Sequence, residues 1–499
     1  MTEVIKLILL IILSGILLTL PLGNPGLYWL AWFGLVPTII VMKKLKDFKR
    51  IFVYGWIFGI TIAIGASYWL YHPINDFSGL PFPLVIIFLM LLFALAGLNM
   101  GLWSISYKLI ERGSKKRASI LLLAASWVAF EYLINFVFPY YPFGNLGLTQ
   151  TGFNRFLQLS EYGGVFLLSF IVVLLNGLLY KLITVRRLRY LLLIVIIFVG
   201  SGYFSGQALD RLNNEQYQTG QRVKIGIIAT EIPQEEKWNG QNIERFTELF
   251  AKEANQLYEK GAELVIMPES AITFDYPRNG YYRDLFQNLT ELNGYMLIGS
   301  QAIRDEPTEP YNSMFLINSE YEVLGRYDKI ELIPGEYIPL AGVAEFFTGQ
   351  SWASITRGQE VEYFNFEYGD GAEASFRVLI CSEILHRSDD YAALNEHQFI
   401  VNPSNEGWFG NGNLQSQMWQ SARLRAVETR MPVVKAGNKA TNGYILPDGR
   451  FQEIVESSVI ELELPAQARG LTVYQEYGDL IVYLSILITL LGGAFKYFL

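Results

Sequence analysis

The sequence predicts an α-helical transmembrane bundle of about eight helices joined to an α/β domain. Three observations support this fold class. Hydrophobic residues make up 51% of the 499 residues and charged residues only 17%, against about 25% charged in soluble domains. The long apolar runs lie in roughly the first two hundred and last twenty residues. The region between them alternates short apolar runs with helical periodicity, which indicates sheets covered by helices.

Eight apolar segments approach the roughly 20 residues that a helix needs to cross a bilayer. They are Ile5–Leu22, Leu27–Met42, Ile51–Tyr71, Phe82–Tyr107, Ala118–Val137, Gly164–Tyr180, Leu188–Phe204 and Leu480–Phe498. The second segment is short, and the first has an alternative interpretation as a signal peptide. No small-residue cleavage site follows the first segment and the next one begins almost at once, so we favour a retained span.

Basic residues in the connecting loops predict the orientation of the spans. Loops 43–50, 108–117 and 181–189 hold five, five and four Lys or Arg residues, whereas loops 23–26, 72–81 and 138–163 hold only Arg155. Loops rich in Lys and Arg stay in the cytoplasm. The amino terminus is therefore expected inside, the region after Phe204 outside, and the end of the eighth span inside again.

These patterns predict four regions along the chain. They are a transmembrane domain of seven helices over 1–205, a linker over 206–222, a soluble domain over 223–464, and a linker with the eighth helix over 465–499. Within the soluble domain, apolar runs at 223–229, 264–267, 295–300, 313–317, 376–380 and 398–401 predict strands. Helices are expected over Ile243–Lys260 and, as an amphipathic helix, over Gln415–Arg430.

Composition excludes several classes of function. The net charge is −8 and no basic stripe or tail is present, so nucleic-acid binding is not expected. A single cysteine cannot form an internal disulfide. The three histidines show no spacing typical of a zinc site, and we expect neither a metal nor a cofactor.

Three segments of the soluble domain each run from an apolar stretch into a reactive residue. Leu264-Val-Ile-Met-Pro-Glu ends at Glu269, Arg377-Val-Leu-Ile-Cys ends at Cys381, and the segment 327–339 carries Lys329 and Glu336. A cysteine on a tight turn after a strand exposes its sulfur beside the next backbone N–H, as in a nucleophile elbow. Singly, these residues fit a core cysteine, a solvated glutamate and a surface lysine. Their joint occurrence favours a catalytic site.

These segments resemble the nitrilase (carbon–nitrogen hydrolase) superfamily, whose signature is a Glu, a Lys and a Cys on successive strands. With the apolar spans, nearly the whole chain resembles the membrane branch of that superfamily, the apolipoprotein N-acyltransferases of bacterial lipoprotein maturation. Further similar motifs are Pro233-Gln-Glu-Glu-Lys-Trp, Ser404-Asn-Glu-Gly-Trp-Phe-Gly, Ala422-Arg-Leu-Arg-Ala-Val-Glu, Glu131 in the fifth span and Pro142-Phe-Gly after it. Two departures are Ser382, where the family commonly has Tyr, and a spacing from Lys329 to Glu336 that is one residue shorter.

The resemblance implies an α-β-β-α sandwich and a thioester mechanism. Glu269 is then the general base, Cys381 the nucleophile, and Lys329 with the backbone N–H of Ser382 the oxyanion donors. The supporting residues are Glu336 and Glu383, which orient the lysine and the amine, and Trp238, Asn405 and Trp408 are expected to bind substrate.

The same resemblance implies the substrates and the location. The acyl donor is a phospholipid, with phosphatidylethanolamine expected, and the acceptor is a diacylglyceryl apolipoprotein. The expected location is the inner membrane with the catalytic domain in the periplasm.

Two alternative functions stay open at this point. A membrane-anchored nitrilase-type domain can hydrolyse an amide or acylate another amine. A transporter-like or scaffold protein can carry a degenerate nitrilase domain as a binding module. The presence of all three reactive residues argues against the second alternative.

Overall fold

The computed structural model describes residues 2–113, 119–137, 144–212, 218–303, 310–333, 336, 355–386, 396–410, 412–466 and 470–494. Pro142, residues 114–117 of the predicted loop 108–117 and the end of the eighth span, 495–498, lie outside these residues.

Helices of the amino-terminal part form a bundle. They are α1 (Thr2–Gly23), α2 (Ala31–Gly34), α3 (Val36–Lys44), α4 (Phe48–Ser67), α5 (Tyr71–Phe77), α6 (Phe82–Gly113), α7 (Ser119–Val137), α8 (Asn154–Leu157), α9 (Ser160–Val185) and α10 (Leu188–Leu212). Among the described residues, six helical segments are long and apolar enough to cross a membrane: 3–23, 25–44, 48–77, 82–111, 160–185 and 188–212. The fifth and eighth predicted spans correspond to shorter apolar helices, Ser119–Ile134 and Leu480–Gly492.

Two of the predicted spans are broken helices. The second begins as a 3-10 helix, Pro25–Leu30, and continues through α2 and α3. Helix α9 bends near its amino-terminal end, where Gly163 and Gly164 leave helical geometry and Gly164 has φ +62°. A Cβ at Gly164 would lie 2.6 Å from the ring of Tyr474, so both the backbone and the close approach require glycine.

Glu131 in α7 contacts the loop that follows the helix. Its carboxylate Oε1 accepts a hydrogen bond of 2.6 Å from the backbone N–H of Leu146. Leu146 begins the 3-10 helix Leu146–Gly152, whose first N–H groups lack helical partners. This contact supports a structural role for Glu131 within the bundle.

The α/β domain contains two six-stranded sheets. Its strands are β1 (Gln218–Ile227), β2 (Leu264–Ile266), β3 (Tyr295–Ala302), β4 (Tyr311–Ile317), β5 (Val323–Asp328), β6 (Tyr363–Tyr368), β7 (Ala372–Val378), β8 (Phe399–Asn405), β9 (Val433–Asn438), β10 (Asn442–Ile445), β11 (Phe451–Ile454) and β12 (Ser458–Pro465). The strand orders are β12-β1-β2-β3-β4-β5 and β11-β10-β9-β8-β7-β6. In the first sheet β1, β2 and β3 are parallel, and in the second β7, β8 and β9 are parallel.

The domain's helices are α11 (Gln234–Lys237), α12 (Ile243–Glu259), α13 (Gly280–Leu289) and α14 (Leu414–Thr429), and α15 (Val473–Tyr477) and α16 (Leu480–Ala494) follow it. The sheets pack face to face, because apolar side chains of both, such as Ile225, Ile266, Phe376 and Val401, form one core. The other face of the first sheet packs against α12 and α13, and α14 covers the second sheet. The order of layers is therefore the expected α-β-β-α sandwich.

The prediction that residues 415–430 form an amphipathic helix was wrong in one respect. Helix α14 forms there, but it is buried on nearly all sides. Its polar face docks on the membrane bundle: Gln417 donates to the carbonyl of Ala66 at 2.7 Å, and Gln420 donates to that of Leu22 at 2.7 Å. Carbonyls at helix ends lack helical partners, so glutamines of α14 satisfy the ends of α1 and α4 and fix the domain on the bundle.

Candidate active site

Strand directions bring the predicted catalytic residues to one edge of the sandwich. Glu269 follows β2 and Lys329 follows β5 in the first sheet, and Cys381 follows β7 in the second. Strand β5 runs parallel to β2 because β3, β4 and β5 alternate in direction. The three strands are not successive along the chain. Their carboxyl ends nevertheless meet at one edge of the sandwich, which is where α/β folds place their sites.

Glu269 is a buried carboxylate, 5% exposed, with its acceptor positions occupied. Oε1 accepts from Nδ2 of Asn312 at 2.7 Å and from Nζ of Lys329 at 3.3 Å, and Oε2 accepts from the backbone N–H of Asn405 at 2.7 Å. The nearby Cys381 thiol also lowers the pKa of the carboxylate. Burial alone raises the pKa of Glu269, but the Lys329 ammonium and these hydrogen bonds outweigh it, so its pKa lies below the usual value.

Lys329 is an ammonium between two carboxylates. Its side chain is 1% exposed, and Nζ lies 2.8 Å from Oε1 of Glu336 and 3.3 Å from Oε1 of Glu269. Burial lowers the pKa of Lys329, but the carboxylates reverse this effect and the pKa is well above its usual value. The lysine is thus a fixed cation and not a proton donor or acceptor near neutral pH.

Cys381 occupies a strained turn just past Val378, the last residue of β7. Its φ is +50°, a left-handed conformation uncommon for a residue with a Cβ, and it begins the 3-10 helix Cys381–Leu385. Strain at such a position is retained only where the surrounding structure enforces it. The expected elbow is therefore present, with a 3-10 helix after it.

Cys381, the predicted nucleophile, is protonated at neutral pH. Burial raises the pKa of Cys381 well above its usual value, and the adjacent Glu269 carboxylate raises it further, while Lys329 opposes this effect. A protonated thiol beside an ionised carboxylate suits general-base catalysis, in which the proton moves as the sulfur attacks.

Glu383 connects the segment after Lys329 to the turn that carries Cys381. Oε1 accepts from the backbone N–H groups of Ile330 and Glu331 at 2.8 and 3.0 Å, and from the hydroxyl of Tyr327 at 2.8 Å. Oε2 accepts from the backbone N–H of Ile380 at 2.6 Å. Glu383 therefore positions the segments that carry Lys329 and Cys381, and does not hydrogen-bond the lysine itself.

Ser382 and Glu336 differ in the hydrogen bonds that their side chains make. Ser382 is buried, and its hydroxyl has no hydrogen-bond partner among the described residues. Besides binding Lys329, Glu336 accepts through Oε2 from the backbone N–H of Ile333 at 3.0 Å. The shorter spacing thus still brings the Glu336 carboxylate to the lysine.

The predicted substrate-binding residues lie around the same edge. Asn405 hydrogen-bonds Glu269 through its backbone and Gln234 through its side chain, at 2.6 and 3.2 Å. The rings of Trp238 and Trp408 lie 6.0 Å apart. Phe77 of the bundle packs edge-on against Trp408 at 4.8 Å. An aromatic cluster thus connects the bundle with the loops over the site.

Sequence reasoning missed several residues of the site. Asn312 donates to Glu269 and, at 3.4 Å, to Glu336. Lys435 and Glu406 form a fully buried ion pair, and both act electrostatically on Cys381. The sequence feature that could have revealed this pair is the lysine inside the apolar strand Val433–Asn438, since a buried charge there requires a partner.

Among the described residues, no group of three or more His, Cys, Asp or Glu side chains is arranged to hold a metal ion. The lysines Lys329 and Lys435 are instead paired with carboxylates.

Comparison with known proteins gives the same assignment for both parts of the chain. Residues 14–178 match the family model of the apolipoprotein N-acyltransferase N-terminal domain, and residues 226–465 match that of carbon–nitrogen hydrolase. The fold and site thus define a carbon–nitrogen hydrolase domain attached to a membrane bundle. The chain belongs to the apolipoprotein N-acyltransferase family and is an acyltransferase.

Similar relatives extend over almost the full chain. Apolipoprotein N-acyltransferase of Geobacter metallireducens is 26% identical over 514 residues, covering 96% of this chain and 93% of the relative. That of Methylococcus capsulatus is 25% identical over 495 residues, with 95% and 93% covered. A Nesterenkonia AN1 amidase of the nitrilase superfamily aligns with 51% of this chain and 93% of its own at 15% identity, with a TM-score of 0.36.

Proposed function

We propose that this protein transfers an acyl chain from a phospholipid, through a thioester on Cys381, to the α-amine of the N-terminal diacylglyceryl-cysteine of apolipoproteins. The observation that carries the proposal is the convergence of a base, a cation and a thiol in one buried site. Glu269 binds Lys329, and both groups act electrostatically on the Cys381 thiol. The reaction is the last step of lipoprotein maturation.

The first half-reaction forms the thioester. Glu269 takes the proton of Cys381 as the sulfur attacks the sn-1 ester carbon of the phospholipid. Lys329 and the backbone N–H of Ser382 stabilise the oxyanion, and one such donor contributes about 3 kcal/mol. The C–O bond breaks, Glu269 returns its proton to the leaving oxygen, and a lysophospholipid departs.

The second half-reaction forms the amide. The α-amine attacks the thioester carbon, Glu269 accepts a proton from the nitrogen, and the C–S bond breaks to restore Cys381. Glu336 and Glu383 act through position: Glu336 binds Lys329, and Glu383 fixes the backbone on both sides of the site.

The contacts with the bundle support lipid substrates. Helix α14 sits on the ends of α1 and α4, and Trp408 contacts Phe77. The site therefore adjoins the surface that the membrane helices reach. Burial of the triad excludes water, which protects the thioester from hydrolysis.

Mass spectrometry of the intact protein tests the proposed function. Incubation with phosphatidylethanolamine should add one acyl group to Cys381, and a diacylated lipopeptide with a free amine should then remove the group and become N-acylated. Loss of the adduct to water at the same rate without the lipopeptide would instead indicate the amidase alternative. Absence of an adduct with both phosphatidylethanolamine and phosphatidylglycerol would contradict the thioester.

We propose an orientation in which the catalytic domain, 223–464, lies in the periplasm. The transmembrane domain, 1–205, and the eighth helix within 465–499 cross the inner membrane. The basic loops support this orientation. Its test uses single cysteines in the Cys381→Ser background, which has no other thiol. Val455→Cys, at a position 92% exposed, should react with an impermeant maleimide in spheroplasts. Lys46→Cys should react only after lysis, and the reverse pattern would contradict the orientation.

A further inference from the structure

Lys237 is a buried lysine beside the triad that the proposed steps do not use. Its side chain is 1% exposed. Nζ donates to the backbone carbonyl of Glu269 at 3.1 Å. No second acceptor for this ammonium occurs in the described part of the chain, although an ammonium has three N–H donors. Lys329, by contrast, binds two carboxylates. Burial with a single acceptor therefore disfavours the ammonium form of Lys237 and favours the neutral amine.

Lys237 belongs to a short helix that covers the site. From the same helix, α11, Gln234 hydrogen-bonds Asn405, and the adjoining Trp238 packs on Trp408. These contacts fix α11 over the carboxyl ends of β2 and β8. Lys237 is thus held at the edge where the acceptor has to approach Cys381.

The groups that act on Lys237 are Glu269 and Cys381. Burial lowers the pKa of Lys237 to about 7, and these two groups oppose the effect only in part. Beyond them, Lys329 binds the far side of Glu269, and the Lys435–Glu406 pair acts on Cys381. On α11 itself, Glu236 faces away and pairs with Arg245.

The α-amine that accepts the acyl group has to lose two protons, and each proton needs a group to receive it. An α-amine has a pKa of about 8, so at pH 7 roughly nine-tenths of it is ammonium and has no lone pair for attack. Glu269 has to take the proton released as the amide forms. A different group therefore has to take the first proton.

We propose that Lys237, as the neutral amine, accepts the first proton from the incoming α-ammonium and so generates the nucleophile of the second half-reaction. The freed amine attacks the thioester carbon and the C–N bond forms. The second nitrogen proton passes to Glu269, the C–S bond breaks, and the Cys381 thiolate recovers that proton. Lys237 then releases its proton to solvent, so that one proton leaves per amide formed. This inference rests on the proposed function.

The test measures the two half-reactions separately from pH 6 to 9. For Lys237→Met, acyl-Cys381 should form within about threefold of the parent rate. Transfer to the lipopeptide should fall about tenfold at pH 7 and return to the parent rate near pH 9, where most amine is already neutral. Lys237→Arg should behave like Lys237→Met, because a guanidinium stays charged and accepts no proton. The exposed Lys252→Met is the matched control.

Three results would overturn the inference. Equal loss in both half-reactions would show that Lys237 only supports the backbone of Glu269. Full activity of Lys237→Arg would show that positive charge is sufficient. A transfer defect that persists at pH 9 would exclude the proton-acceptor role. Failure of the proposed function is distinguishable, because the parent protein itself would then not acylate the lipopeptide.

Discussion

Replacing Cys381 with Ser is expected to abolish acyl transfer and leave the fold intact. A serine hydroxyl is far less acidic than a thiol, and loss of a catalytic nucleophile lowers turnover by about four orders of magnitude or more. The two side chains are nearly isosteric, and Glu269 can accept a hydrogen bond from either. The measurement is N-acylation of a diacylated lipopeptide, with thermal unfolding in detergent as the control. Transfer within tenfold of the parent would contradict the thioester mechanism.

Glu269→Gln and Lys329→Met are both expected to slow formation of acyl-Cys381, but only the Glu269 variant should be rescued at high pH. Loss of the general base should slow the step by about 10²–10⁴-fold at pH 7. The Gln variant also removes the carboxylate that raises the pKa of Cys381, while Lys329, which lowers it, stays in place. Raising the pH from 7 to 9 should therefore generate thiolate and restore about tenfold per unit.

Lys329→Met should not respond to alkali. The variant removes the cation that lowers the pKa of Cys381 and that stabilises the oxyanion, so the rate should fall about 10²–10³-fold at every pH. The readout for both variants is acyl-Cys381 measured by mass from pH 6 to 9. The exposed Glu373→Gln and Lys252→Met are the matched controls. Alkaline rescue of the Lys329 variant would show that lysine acts mainly on the thiol and not on the oxyanion.

Much of the architecture was predictable because its signals are local. A membrane span is defined by the apolar character of consecutive residues, and a buried strand by a short apolar run. The pattern located Glu269 and Cys381, since a reactive residue after an apolar strand is visible in the sequence alone, whereas strand β5 before Lys329 was not predicted. The resemblance then supplied the chemistry that connects them.

The residues that sequence reasoning missed interact across long separations. Asn312 reaches Glu269, 43 positions away, and Lys435 reaches Glu406, 29 positions away. Neither contact follows from the helix or strand periodicity that can be read from a sequence. The position of α14 was unpredictable for the same reason, because Gln417 binds a carbonyl 351 positions away.

The sequence by itself predicted the membrane bundle and the α/β class and located Glu269, Lys329 and Cys381 as candidate catalytic residues, because these signals lie in neighbouring residues. Only the tertiary structure decided the protonation states, because they depend on burial and on charges from distant strands. It makes Cys381 a thiol, Lys329 a permanent cation and, through burial with a single acceptor, Lys237 a lysine with a pKa of about 7.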